Sequence, residues 1–146
     1  MYSLQEISDK LEISELLTRY CNAIDSGNWE ELDSVFCKDA YIDYSAMGAI
    51  AGSLSEIKEF LAKHLPGLTS YQHMVSNITI DITGDSANVR SICHNPFVVG
   101  TGSDESSVVL CGLWYRDVLV RTQVGWRIQE RVEERCYISR PVKVMS

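Results

Sequence analysis

Apolar residues recur at helical spacing through the first third of the chain and then switch to alternation, so a helical start precedes a stranded remainder. Ile13, Leu17, Tyr20, Cys21 and Ile24 share one side of a helix predicted from about Leu4 to Ile24, and Ser3 with Glu6 has the spacing of its cap. Asp25 follows beside that face, and Gly27 supplies a residue able to end a helix with positive φ. Asn28 and Glu31 read as the capping box of a second, short helix that buries Trp29, Leu32 and Phe36. From Ala40 to Tyr44 the period falls to two, which predicts a strand with Ala40, Ile42 and Tyr44 on one face and Tyr41 and Asp43 on the other. A glycine-bearing loop leads to a third helix capped by Ser53 and Glu56, with Ile57, Phe60, Leu61 and Leu65 as its apolar stripe and Pro66-Gly67 as its end.

The rest reads as strands. Tyr71 to Ile82, a Thr83-Gly84-Asp85 turn and Ala87 to Val99 form an antiparallel pair. After a polar loop, GTGSDESS, come Val108 to Val120, a turn near Gln123 to Gly125, and Trp126 to Ile138. Helices followed by a run of antiparallel strands is the α+β pattern, with the helices on one face of a curved sheet. Strands this long must bend to cover three helices, and a bent sheet over helices is expected to enclose an internal pocket.

Composition narrows the function classes. The 146 residues fit one domain, 1–146, long enough to bury a core without staples. A net charge of -7 with no basic cluster makes nucleic acid and anionic membrane surfaces poor partners. No apolar run has the length of a bilayer span, and the N-terminus reads as the start of an amphipathic helix rather than a signal peptide. Five cysteines, Cys21, Cys37, Cys93, Cys111 and Cys136, stand singly in apolar contexts, which reads as reduced, buried thiols of a cytoplasmic protein. On that reading the Asn77-Ile78-Thr79 sequon goes unused.

Few residues can do chemistry. Asp25 sits where the helix dipole favours a cation, a placement that costs stability and suits a proton-handling role, although a plain loop residue fits the same position. Of three histidines, His64 falls in the last turn of the third helix, where it serves as a cap or dipole partner. His73 opens a long strand, sharing a face with Val75, Asn77 and Thr79, and His94 lies in the partner strand; each is a hydrogen-bonded core residue or a working one. There is no HxH, HExxH or paired-cysteine spacing, no phosphate-cradling glycine fingerprint and no GxSxG elbow. An acid–base set without metal or cofactor remains: Asp25, His73 and the tyrosines.

Four stretches, AIDSGNWEELDSVF, YIDYS, YQHMVSN and GWRIQERVEER, resemble the SnoaL-like branch of the nuclear-transport-factor-2-like superfamily, nearest in pattern to scytalone dehydratase and bile-acid 7α-dehydratase. The resemblance implies a cone: a strongly bent mixed β-sheet wrapped on the N-terminal helices around a pocket. It implies a catalytic pair of Asp25 and His73, with Tyr44 matching a tyrosine that binds the substrate carbonyl and Tyr20 a pocket tyrosine of the bile-acid type. Where scytalone dehydratases carry a histidine just after a proline, Phe97 follows Pro96 and His94 lies before it, and a pocket asparagine falls near Cys111. Arg131 is the candidate match for an arginine of the bile-acid enzymes, so Tyr20, Tyr44, His94 and Arg131 are the expected substrate-binding set. The implied activity is that of a cofactor-independent lyase acting on a small hydrophobic molecule; an isomerase, a cyclase or a non-catalytic binding domain would use the same pocket. Family relatives also imply a homo-oligomer, trimer or dimer, joined through the outer sheet face around Val108 to Val120.

Overall fold

In the computed structural model, which describes residues 1–100 and 106–143, Ser3 and Glu6 exchange hydrogen bonds and start α1 (Leu4–Ser26) as the capping spacing predicts. Gly27, at φ 66, closes the helix: its N–H bonds the Ile24 carbonyl and the Asn28 N–H bonds that of Ala23. That closure carries α1 past Ile24 and puts Asp25 in its last turn. Asn28 makes no side-chain cap, contrary to the sequence reading, because the closure holds it at φ -87, ψ 77, outside the extended geometry an N-cap adopts. A 3₁₀ turn (Trp29–Ser34) stands where the short helix was expected, and Phe36 opens β1 (Phe36–Asp43) instead of ending a helix. Ala40, Ile42 and Tyr44 are all buried, as their alternation requires.

After β2 (Ala51–Ser53), the Ser53–Glu56 box starts α2 (Leu54–His64), which buries Leu54, Ile57 and Leu61. Eight further strands follow: β3 (Ser70–Tyr71), β4 (Met74–Thr83), β5 (Ser86–His94), β6 (Phe97–Gly100), β7 (Ser106–Val109), β8 (Cys111–Thr122), β9 (Gly125–Ile138) and β10 (Val142–Lys143). Six strands lie in the order β2-β1-β9-β8-β5-β4, with β1 parallel to β9 and every other pair antiparallel. Four form a second sheet, β10-β7-β6-β3.

The second order repeats the last four places of the first, because β9, β8, β5 and β4 each break at one level and continue across the break as β10, β7, β6 and β3. Gln72-His73, Asn95-Pro96, Leu110 and Ser139 to Pro141 are the break points. Pro96 has no N–H to give a ladder, the Asn95 N–H bonds the Cys111 carbonyl, and the Leu110 N–H bonds the Ser139 hydroxyl. The three single strands expected over Tyr71 to Ile82, Ala87 to Val99 and Val108 to Val120 are thus bent pairs, and the sheet folds over the helices as a cone. Of the expected polar loop, Gly100 ends β6 and Ser106 and Ser107 belong to β7, while residues 101–105 lie outside the described residues. A bulge between Ser76 and Thr79, with Asn77 at φ 50, also shifts the phase of β4. Asn77 and Thr79, expected on the face of His73 and Val75, are therefore exposed, and Ile78, Ile80 and Ile82 turn to the core.

One fastening holds α1 to the far end of the sheet. The buried Asp9 carboxylate accepts two bonds from Arg121 (2.6 and 2.8 Å) and one from the Trp126 indole (3.1 Å). Glu12 accepts from the Trp126 amide (2.7 Å) and crowds Gly125, where φ +103 and the lack of a Cβ both demand glycine. The Arg121 bonds hold the Asp9 carboxyl far below the usual carboxylate range, against the opposing effect of its burial. That contribution is fully present above the ordinary aspartate pKa and is lost as pH falls through and below it. Asp9→Asn is expected to lower stability by about 2 kcal/mol at pH 7 and by much less in acid, read from urea midpoints at the two pH values. Equal losses at both would disprove the linkage. Among the described residues no helix is long and apolar enough to cross a membrane.

Candidate active site

The break at Gln72-His73 frees a backbone donor that a continuous strand would have consumed. The His73 N–H points at the Asp25 carboxylate, 3.2 and 3.0 Å from its two oxygens, and His73 Nδ1 lies 2.7 Å from Oδ1. The last turn of α1 and the sheet bend are thus joined by one carboxylate that accepts from both the backbone and the ring of the same residue. A carboxylate accepting at Nδ1 fixes the proton there and leaves Nε2 as the basic nitrogen. The imidazole is almost enclosed, with its side chain 8% exposed against 26% for Asp25, and it meets the edges of Tyr20 and Tyr71 at ring-centre distances of 6.5 and 6.4 Å.

Tyr20 sits one turn of α1 before Asp25, on the core side. Its hydroxyl lies 2.7 Å from that of Tyr44, and both rings are fully buried. Burial pushes both phenols well above their ordinary pKa, so they are neutral hydroxyls able to donate, although Arg131 pulls the other way. The Arg131 guanidinium lies over the rings of Tyr20 (4.2 Å) and Tyr115 (3.9 Å) and pairs through two bonds, 2.8 and 2.7 Å, with Asp117; neither side chain of that pair is exposed. Burial works against the Arg131 charge, but Asp117 outweighs it and keeps the guanidinium cationic.

The SnoaL-like domain family matches residues 5–132. The chain belongs to that family. Uncharacterized protein Rv2910c of Mycobacterium tuberculosis is 47% identical over 137 residues, spanning 94% of this chain and 92% of its own. Two solved structures share the cone. One is the hexachlorocyclohexane dehydrochlorinase LinA-type3 of Novosphingobium barchaimii, with a TM-score of 0.81 at 15% identity over 95% of this chain and 93% of that one. The other is a candidate scytalone dehydratase of Novosphingobium aromaticivorans, at 0.79 and 21% over 91% and 87%. The bent mixed sheet on its helices is the architecture of the nuclear-transport-factor-2-like superfamily.

Within this SnoaL-like domain, four of the six residues singled out from sequence form one continuous group: Asp25 on His73, His73 against Tyr20, and Tyr20 bonded to Tyr44. Arg131 joins them over the face of Tyr20. His94 does not. Cys93 faces the core, so period-two alternation turns His94 to the outer face, where Nδ1 lies 3.0 Å from the Tyr137 hydroxyl. Its expected substrate-binding role is therefore corrected. His64 stacks on Phe60 at 4.2 Å with Nδ1 2.8 Å from the Phe60 carbonyl, in keeping with an end-of-helix partner.

Sequence reasoning passed over Asp117, Ser91 and Glu133, all buried on the inner face. A signal existed for the first: Leu113, Tyr115 and Leu119 are inward at period two, and Asp117 falls in phase with them. The cysteines divide. Burial raises the thiols of Cys21 and Cys111 to about 11 and that of Cys93 to about 12, whereas Cys136 is exposed, not buried as expected. Among the described residues no cluster of three or more His, Cys, Asp or Glu side chains is placed to hold a metal.

Proposed function

We propose that this SnoaL-like protein is a dehydratase-like, cofactor-independent lyase. Its substrate is a small hydrophobic molecule, polycyclic or aromatic, that carries a carbonyl and a leaving group β to it. The observation that carries the reading is the 2.7 Å contact between His73 Nδ1 and Asp25 Oδ1, reinforced by the His73 backbone N–H on the same carboxylate. His73 Nε2 takes the proton next to the carbonyl, and Asp25 orients the ring and stabilises the imidazolium that results. The Tyr20 ring meets the imidazole edge-on and its hydroxyl pairs with that of Tyr44, a pair that can donate to the carbonyl oxygen as it becomes enolate-like. One such donor is worth roughly 3 kcal/mol in the transition state. The imidazolium then returns its proton to the departing hydroxyl, so one residue serves as base and acid. The hexachlorocyclohexane dehydrochlorinase, which shares this cone, supports elimination as the outcome.

The test uses purified protein, β-hydroxy ketones on aromatic or polycyclic frames, and deuterated water. Enone absorbance should rise while the recovered ketone gains deuterium next to its carbonyl. Exchange without enone would point to an isomerase or cyclase, and neither signal across the panel would leave a binding domain; either result defeats the lyase reading.

A further inference from the structure

We propose that Glu133 is a hydrogen-bond donor that joins the Tyr20–Tyr44 hydroxyls in holding the substrate's oxygen as it turns anionic, which restricts the substrate class to ketones, esters or thioesters able to form an enolate. The inference rests on the lyase reading and adds a group to it. Ser91, Tyr115 and Glu133 form one row across the inner face, since Ser91 pairs with Tyr115 on β8 and Tyr115 with Glu133 on β9. Tyr44 flanks the row just past the end of β1, where Asp43 pairs with Val132. Glu133 is 9% exposed and has no hydrogen-bond partner among the described residues. Ser91 Oγ and Arg131 Nη1, both on residues with no exposure, lack partners, as does Asn95 Oδ1 at the sheet break. Buried polar groups are normally satisfied, so the two orphans beside Glu133 mark the place of a ligand oxygen.

The charge state follows from the same surroundings. Burial raises the Glu133 carboxyl to about 8, with Arg131 two residues away pulling it down and the Asp43 charge adding to the rise. Near neutral pH it therefore keeps its proton and can donate, as an ionised carboxylate could not. The row reaches the catalytic pair through Tyr20, whose ring lies 5.7 Å from that of Tyr115 and 6.5 Å from that of His73.

The titratable groups coupled to Glu133 are Arg131 on its own strand, Asp43 at the end of β1 and Tyr44 just past it, Tyr20 from α1, Tyr115 and Cys111 from β8, and Cys93 from β5. Burial holds the three tyrosines and two thiols in their neutral forms, Arg131 stays cationic, and hydrogen bonds from Ser45 keep Asp43 ionised. Between pH 7 and 9, Glu133 alone among them changes charge.

The experiment uses 3,4-dinitrophenol, an anion throughout that range and a mimic of an enolate oxygen, titrated by absorbance against the full chain carrying His73→Ala so that the imidazole does not enter the readout. Affinity should be flat near pH 7 and fall about tenfold per unit above about 8. Adding Glu133→Gln, whose amide still donates, should keep binding and abolish the fall; Glu133→Ala should weaken binding about tenfold or more. No binding, a flat profile, or a fall that survives Glu133→Gln overturns the inference. The two readings fail separately. Absent turnover with this pH-dependent binding sinks the lyase alone, and normal turnover with a flat profile sinks the Glu133 role alone.

Discussion

His73→Ala and Asp25→Asn each lower kcat by roughly two to four decades on a substrate that the wild-type protein turns over, with the fold retained. For His73 the loss is that of the base itself. For Asp25 it is a loss of positioning, and the geometry explains why an isosteric amide fails. Asp25 accepts from the His73 backbone N–H and from Nδ1 together. An asparagine has one oxygen for these two donors and must turn its NH₂ toward one of them. If the oxygen keeps the backbone N–H, the NH₂ faces Nδ1, the proton moves to Nε2, and the base is no longer available to substrate. The substitution should leave KM little changed, since Asp25 touches the imidazole rather than the ligand. It should also cost about 1 kcal/mol in stability through the weakened tether between α1 and the bend. Near-normal turnover by Asp25→Asn would show that the pair is not the engine, whatever becomes of stability.

The dyad could be inferred before the fold was known because the family resemblance named its residues, yet the reason they meet was not visible. Tyr71 to Ile82 reads as an unbroken alternation, and only the break at Gln72-His73 frees the amide that binds Asp25. One break did announce itself, since Pro96 cannot continue a ladder; its neighbours at Leu110 and His73 are ordinary strand residues that bend because their partners bend. Local periodicity read the inward faces of α1, β1 and α2 correctly, because each packs on one side only. It misread β4 after Asn77, where one extra residue reversed the phase, and that is also the weakness of any period-two argument. The misplacement of His94 had another source. It came from alignment with a family histidine, whereas alternation from the apolar Ala87, Val89 and Cys93 sends His94 outward. Glu133 offered the least to a sequence reader, because an acid among the alternating charges of QERVEER looks like a solvated face.

The largest effect on stability is expected at Asp117→Asn, a loss of about 3 to 5 kcal/mol, because it leaves the Arg131 cation buried without its counter-charge. Neither side chain has any exposure, so hydration does not replace the lost counter-charge. Three attractions survive the substitution: the rings of Tyr20, Tyr115 and Phe36, 4.2, 3.9 and 5.7 Å from the guanidinium, each worth about 2 kcal/mol when desolvated. They hold the cation in the wild type as well and so offset none of the lost pairing, and the net sign is destabilising. Replacing both members with apolar residues of similar volume, Asp117→Leu with Arg131→Met, removes the unpaired charge and should recover most of the loss. Urea midpoints with unchanged slope measure both changes. A cost below about 1 kcal/mol for Asp117→Asn would mean that the aromatic faces alone hold the cation. If the double variant is as unstable as the single one, packing rather than charge is what the pair supplies. The double variant should fold and still turn over poorly, since a buried cation beside two hydroxyls and an orphaned Ser91 serves an incoming oxygen, and a stable apolar core at that point cannot.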